Sequence, residues 1–147
     1  MYIKQSDLFL GVRMDFLKKV MEVTRQESHP AGALLFDAND PATHFFILIN
    51  GRVQLSLGES GKQIHIGSRR GESFGWASLV GRDLYTASAL CLEYTDLLKI
   101  EVQAFKTLLS RYLDDGFVFY KNLSHALGKR LVQSYRKMPA PDGQEGR

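Results

Sequence analysis

The side chains best suited to holding a metal ion are the four histidines, His29, His44, His65 and His125. No two of them form a His-x-His pair, and none stands at a spacing to glutamate that resembles a known metal-binding motif. His65 has an isoleucine on either side, and this alternation predicts a strand from which the histidine points to solvent. A structural role is favoured for each histidine, and we expect neither a metal nor a cofactor.

The single cysteine, Cys91, is the other side chain with obvious reactivity. It lies in the apolar run Ala89–Leu92, where a thiol is expected to be buried and inert. The sequence contains no Gly-x-Ser-x-Gly elbow and no Walker-type loop, so we expect a protein that is not an enzyme. The lone cysteine, the lack of an apolar leader and the lack of a long apolar run predict a cytoplasmic protein that does not enter a membrane.

The segment Gly71-Glu72-Ser73-Phe74-Gly75 is the one stretch that suggests phosphate binding. Two glycines let a backbone approach a ligand closely, but alone they are a weak signal. Their weight depends on the elements around them.

Those elements have a repeat of two residues from about Thr24 to Ile100, as expected for strands with one polar face. Arg52–Leu57 alternates cleanly, and Asn50-Gly51 before it predicts a hairpin to the apolar run Phe45–Ile49. Further strands are predicted at Lys62–Gly67, His29–Phe36, Thr86–Glu93 and Asp96–Ile100. Many short strands with turns about every ten residues predict a sandwich, barrel or jelly roll.

Helical spacing replaces the strand pattern at both ends of the chain. Short helices are predicted near the N-terminus, including Asp15–Met21, and again at Val102–Leu109. A long helix follows at about 113–137, which completes one domain over 1–137. The residues 138–147 have no apolar anchor and are predicted to form a disordered tail.

The long helix carries two apolar sets. One has the spacing of a helix-pairing seam and consists of Leu113, Phe117, Tyr120, Leu127 and Leu131. The other, Phe119, Leu123 and Val132, is predicted to face the barrel. Two apolar faces need two surfaces, and a second copy of the chain is the simplest cover for the seam. We therefore expect a homodimer, although a single domain could wrap both faces.

The order of these elements resembles the cyclic-nucleotide-binding domain of the catabolite activator (Crp/Fnr-type) family. Three strings are similar to it as well: Gly32–Phe36 with the turn Asp40-Pro41-Ala42, Phe46–Val53, and Gly71–Gly75. The resemblance implies an all-β fold with flanking helices, a jelly-roll or double-stranded β-helix barrel. It also implies a phosphate-binding cassette made by Phe74, Gly75, Trp76, Ala77, Ser78, Leu79, Arg82, Tyr85 and Thr86.

The cassette departs from the family pattern at two positions. In a typical member a glutamate follows Phe-Gly to accept from the ribose, and an arginine nine positions later pairs with the phosphate. Trp76 and Tyr85 stand at those positions here. Without the cation a bound phosphate loses a charge-assisted contact worth roughly 1.5–3 kcal/mol. Arg82 could replace it, the two aromatic residues could line an apolar pocket, or they could simply fill the site.

The resemblance thus implies a non-catalytic ligand-sensing module that does not bind cAMP in the usual way. Its partners would be a small-molecule effector or a regulatory protein. The alternatives are a ligand-free dimeric scaffold and a regulator that still binds a cyclic nucleotide. The chain ends about ten residues after the long helix and carries a net charge of only +3, so we expect no direct DNA binding.

Overall fold

A computed structural model describes residues 2–139, so the predicted tail lies outside the described residues from position 140 onward. Within that range the strands are β1 Thr24–His29, β2 Leu34–Phe36, β3 His44–Asn50, β4 Val53–Leu57, β5 Gln63–Gly67, β6 Ser73–Phe74, β7 Ala87–Cys91 and β8 Thr95–Glu101. The α-helices are α1 Met14–Glu22, α2 Val102–Arg111 and α3 Leu113–Lys137, and short 3₁₀ helices occur at Tyr2–Gln5, Asp7–Phe9 and Ala77–Val80. None of the helices described over residues 2–139 has the length and apolarity to cross a membrane.

The strands form two antiparallel four-stranded sheets. The first has the order β1-β8-β3-β6 and the second the order β2-β7-β4-β5. Helices flank this pair of sheets at both ends of the chain, and the long one has the predicted bounds. The predicted fold class, an all-β roll with flanking helices, is confirmed.

Two local predictions are wrong: the hairpin at Asn50-Gly51 and the single strand at His29–Phe36. Strands β3 and β4 belong to different sheets, so Asn50-Gly51 is a crossing between sheets and not a hairpin. The stretch His29–Phe36 divides into the end of β1 and all of β2. It breaks at Pro30, which has no N–H for a ladder, and at Gly32, whose φ is 89°.

Strand β3 separates two apolar clusters because both of its faces are buried. Phe46 and Leu48 point between the sheets, whereas Phe45, Ile47 and Ile49 point to the helices and belong to what we call the helix-side cluster. A strand covered on both sides has to be apolar at every position, which explains the uninterrupted run that the sequence shows.

Helix α3 packs against the helix-side cluster with Phe119 and Leu123, which are fully buried as predicted. The prediction for Val132 is wrong, since this side chain is 46% exposed. The helix is also held by polar contacts to the N-terminal segment. Asn122 donates to the backbone oxygens of Leu8 and Leu10, at 3.0 and 2.8 Å.

We expect Gly51→Ala to lower the free energy of unfolding by about 2–4 kcal/mol. Gly51 has a φ of 113°, and a Cβ there would lie 2.8 Å from the Cα of Thr95. Gly32→Ala is the matched control, because Gly32 also has a positive φ but its Cβ would meet nothing within 4 Å. Gly32→Ala should lower the free energy of unfolding by only about 1 kcal/mol, the cost of placing an alanine in the left-handed backbone conformation. Urea unfolding measures both, and equal losses would contradict this account of the crossing.

Candidate functional site

The cassette is the segment from β6 to β7, and two glycines set its path. Gly75 follows β6 with a φ of 78°, and a Cβ there would lie 3.1 Å from the ring of Phe46. Gly81, with a φ of 88°, ends the short helix Ala77–Val80. Both turns need the left-handed conformation that glycine adopts without strain.

The cassette residues separate into buried and exposed sets. Phe74, Ala77, Ser78, Leu79 and Tyr85 are buried, and Gly75 and Trp76 are half-buried. Arg82 and Thr86 are exposed. The structure therefore does not bring all of the predicted site residues around one cavity.

Tyr85 is packed between the two sheets. Its ring stacks on Phe36 with centroids 3.8 Å apart and planes at 16°. Its hydroxyl donates to the backbone oxygen of His44 at 2.6 Å and accepts from the backbone N–H of the same residue at 3.1 Å. Burial raises the pKa of the Tyr85 phenol. The side chain is thus satisfied at its polar end and in contact along its ring.

Other aromatic rings extend this stack through the space between the sheets. Phe36 lies 5.6 Å from Phe46, and Phe46 lies 5.1 Å from Phe74, measured between ring centroids. The gap that remains beside Phe74, Leu48 and Leu55 has no room for a water molecule. The interior of the roll is consequently a packed aromatic core.

Trp76 points away from this core toward α3. Its indole N–H donates to the hydroxyl of Ser73 at 2.9 Å. The guanidinium of Arg130, on α3, lies 4.5 Å from the centre of the indole ring, within the range of a cation–π contact. The alternative in which Trp76 and Tyr85 line one apolar pocket is wrong, because the two rings pack in different clusters.

Glu72 is a central polar residue of the site that the sequence did not single out. It accepts from the ring of His65 and from the backbone N–H groups of Ser68 and Arg69, at 3.1 and 3.2 Å. Burial opposes its ionisation, but these hydrogen bonds and the charge of His65 outweigh it and lower the pKa of Glu72 to about 2. The expectation that His65 points to solvent is wrong, since its side chain is only 21% exposed.

Arg130 connects α3 to this carboxylate. Its guanidinium lies 3.7 Å from an oxygen of Glu72, and its side chain is 30% exposed. Burial lowers the pKa of Arg130, and the Glu72 charge opposes that change. The Arg130–Glu72–Trp76 contact therefore joins the long helix to the start of the cassette. A helix residue so far along the chain from its partner leaves no signal in sequence spacing.

The predicted interface residues of α3 are exposed to different degrees. Leu113, Phe117 and Leu131 are 72%, 71% and 52% exposed, and Tyr120 is 38% exposed. Leu127 is half-buried and packs against the helix-side cluster. The outer face of α3 thus presents an apolar stripe.

The remaining reactive groups take no part in a reactive cluster. Cys91 is buried as predicted, and burial raises the pKa of its thiol. Within residues 2–139 no three His, Cys, Asp or Glu side chains come together as metal ligands would.

We expect Tyr85→Phe to lower the free energy of unfolding by about 1–3 kcal/mol, because the His44 N–H and C=O groups lose their partner in a partly buried place. Tyr94→Phe is the matched control, since Tyr94 is 64% exposed, and it should change stability by less than about 0.5 kcal/mol. Chemical unfolding of the two variants measures the difference. If Tyr85→Phe left the free energy of unfolding unchanged, water would have to replace the hydroxyl as the partner of His44.

Comparison with known proteins agrees with this architecture. The family model described as cyclic nucleotide-binding domain matches residues 26–112, more than half of the chain. A cGMP-dependent protein kinase of Drosophila melanogaster (isozyme 2) is 26% identical over an alignment of 127 positions, and the alignment covers 78% of this chain. The chain spans only 14% and 12% of the length of the two kinase forms it matches.

Solved structures of similar fold share less sequence. A candidate cyclic nucleotide-binding protein of Geobacter metallireducens gives a TM-score of 0.78 at 22% identity, covering 88% of this chain and 95% of that one. The Thermus thermophilus catabolite activator protein gives a TM-score of 0.72 at 23% sequence identity, and the match covers 90% of this chain and 61% of that one. The sensor domain of the regulator DNR from Pseudomonas aeruginosa gives a TM-score of 0.72 at 21% sequence identity, and the match covers 95% of this chain and 92% of that one. With the family model matched over most of the roll, this chain belongs to the cyclic nucleotide-binding domain family.

Proposed function

We propose that this domain is a non-catalytic regulatory module that responds to a small-molecule effector or a partner protein and does not hold a cyclic nucleotide in the family's usual way. The observation that supports this most directly is Tyr85, which stands where the family's phosphate-binding arginine is expected. Its ring is stacked on Phe36 and both hydrogen-bonding capacities of its hydroxyl are used on His44.

A cyclic phosphate beside Tyr85 would meet an apolar and occupied interior. It would have to displace stacked rings, and it would find no cation among the residues packed there. An anion placed in such surroundings without a paired charge is strongly disfavoured. The packed core therefore supports a role other than ordinary cAMP or cGMP binding.

Arg82 does not offer an evident replacement for the missing cation. Its side chain is exposed, and its backbone N–H is held by the oxygen of Ala77 at 3.0 Å. To reach a phosphate between the sheets, the guanidinium would have to leave water and enter the aromatic core. The desolvation cost of that step argues against Arg82 as a substitute.

The contact between α3 and the cassette supports a regulatory role. By resemblance to the family, ligand binding shifts the short and long helices against the roll. In this chain Arg130 lies against both Glu72 and Trp76, so a molecule that bound near these residues would alter the docking of α3. We further propose that the module acts in the cytoplasm as a homodimer and binds no DNA directly.

We expect cAMP and cGMP at millimolar concentration to leave the melting temperature of the domain unchanged. A ligand at about 100 times its dissociation constant would add roughly 2.7 kcal/mol, which is several degrees for a domain of this size. Differential scanning fluorimetry with isothermal titration calorimetry measures the effect. A shift of several degrees would overturn the proposal. If Arg82→Gln then abolished that shift, it would identify Arg82 as the replacement cation.

The apolar stripe of α3 supports the dimer, which is also the central feature of the alternative scaffold function. We expect Phe117→Glu to convert a dimer to a monomer, because the two introduced carboxylates, one from each copy, would face each other across an apolar seam. Tyr94→Glu is the matched control, an exposed aromatic residue outside α3. Light scattering after gel filtration measures the mass of each. A monomeric unmutated protein would remove the dimer from the proposal.

A further inference from the structure

A groove of about 600 Å³ lies on the other side of Trp76 from the aromatic core. Three parts of the chain form it: the N-terminal segment 5–10, the segment 65–76, and one side of α3 over 121–133. Small-molecule sites generally have volumes of a few hundred to about a thousand Å³. The groove is thus large enough for a ligand, unlike the gap between the sheets.

The charges of this groove are mainly positive. Its lining includes the cations Arg69, Arg70, Lys121, Lys129 and Arg130, together with His65 and His125. Asp7 and Glu72 are the carboxylates that line it. Five cations against two carboxylates are unusual for a protein whose net charge is only +3, so the positive charge of the chain is concentrated here.

The carboxylate of Glu72 offsets part of this positive charge, but its oxygens already have hydrogen-bond donors from elsewhere in the site. Its oxygens accept from His65, Ser68 and Arg69, each at hydrogen-bonding distance. Arg130 is farther away, at 3.7 Å, although it is half-buried and has five N–H donors to place. The groove therefore holds a half-buried guanidinium whose contact with Glu72 is longer than a hydrogen bond, which leaves N–H donors for a ligand.

The lysines of α3 add charge along one wall. Lys121, His125 and Lys129 are four residues apart, so they lie on one side of the helix. The two lysines are separated by about 12 Å along the helix axis. Both are exposed, and their ammonium groups make no ion pair with a carboxylate of residues 2–139. Together with Arg130, the two lysines place positive charge at successive points along the groove, an arrangement that an extended anion can contact at several of its charged groups.

We infer that this groove binds a small acyclic polyanion of the polyphosphate class, such as a linear polyphosphate or a nucleoside 5′-polyphosphate. Its phosphates would lie along Lys121 and Lys129 and reach Arg130 at the inner end. The inference rests on the proposed function in one respect, that the effector does not occupy the space between the sheets. Since Arg130 also contacts Glu72 and Trp76, the bound anion would compete for the contact that docks α3.

The test is a titration of the full chain with sodium tripolyphosphate at constant ionic strength. Trp76 is the only tryptophan of the chain and lines the groove, so its fluorescence reports binding, and tripolyphosphate does not absorb in that range. We expect a saturable change that is weakened at least about tenfold in Lys121→Gln/Lys129→Gln. The control Lys18→Gln/Lys62→Gln removes two exposed lysines outside the groove and should bind within about twofold of the unmutated protein.

The outcomes separate this inference from the proposed function. Absence of a saturable change at millimolar tripolyphosphate, or equal weakening in both lysine pairs, would overturn the inference and leave the proposed function standing. Saturable binding lost only in the groove pair supports the inference. A parallel titration with cAMP by calorimetry concerns the proposed function alone. If cAMP bound the unmutated protein and the Lys121→Gln/Lys129→Gln variant with equal affinity, the proposed function would be contradicted. The binding of tripolyphosphate to the groove would still need its own explanation.

Discussion

Strand β3 is the element on which the rest of the molecule depends, because it is buried on both faces. One face closes the aromatic core between the sheets, and the other supports α2, α3 and the N-terminal segment. The ring of Phe45 packs against the rings of Phe105 and Phe119, with centroids 5.2 and 6.2 Å apart, so the strand positions the helices directly. Phe46, its neighbour in sequence, stacks on Phe74 at the start of the cassette. A shift of one residue in this strand would exchange the two faces, and the alternation of side chains thereby links the position of the helices to the position of the cassette.

That linkage divides the candidate site into an inner and an outer part. The inner part, around Tyr85, is filled by stacked rings and satisfied hydrogen bonds, so it behaves as a core. The outer part, around Trp76, Glu72 and Arg130, is polar, half-buried and open to a groove of about 600 Å³. Packed apolar interiors resist change because each displaced ring leaves a void, whereas a half-buried ion pair exchanges partners more readily. Response to an effector is for this reason more compatible with the outer part than with the inner one.

The long helix α3 connects the outer part of the site to the N-terminal segment. It is held to the N-terminal segment by Asn122 and by the paired side chains of Asp115 and Arg13, which are 3.0 Å apart. Its polar contact with the start of the cassette is made by Arg130, one turn after the half-buried Leu127. Its apolar contact runs through the helix-side cluster, which also contains Leu79 of the cassette. An anion drawn to the basic groove and a second copy drawn to the apolar stripe would act on opposite sides of the same helix. The proposed ligand and the proposed dimer are in this way mechanically connected.

The order of strands and helices was predictable from sequence, since periodicity of two and of 3.6 residues is a local property. So was the burial of Cys91, of Phe119 and of Leu123. The sheet assignment of β3 and β4 was not, because Asn50-Gly51 suits a hairpin and a crossing equally. The pairing of β3 with β8 and of β4 with β7, strands distant in sequence, decides between them. Likewise the identity of Trp76 and Tyr85 marked two unusual positions, but their directions followed from packing. Tyr85 turned inward to His44 and Trp76 outward to Arg130, because hydrogen bonds and ring contacts depend on residues brought together only by the fold.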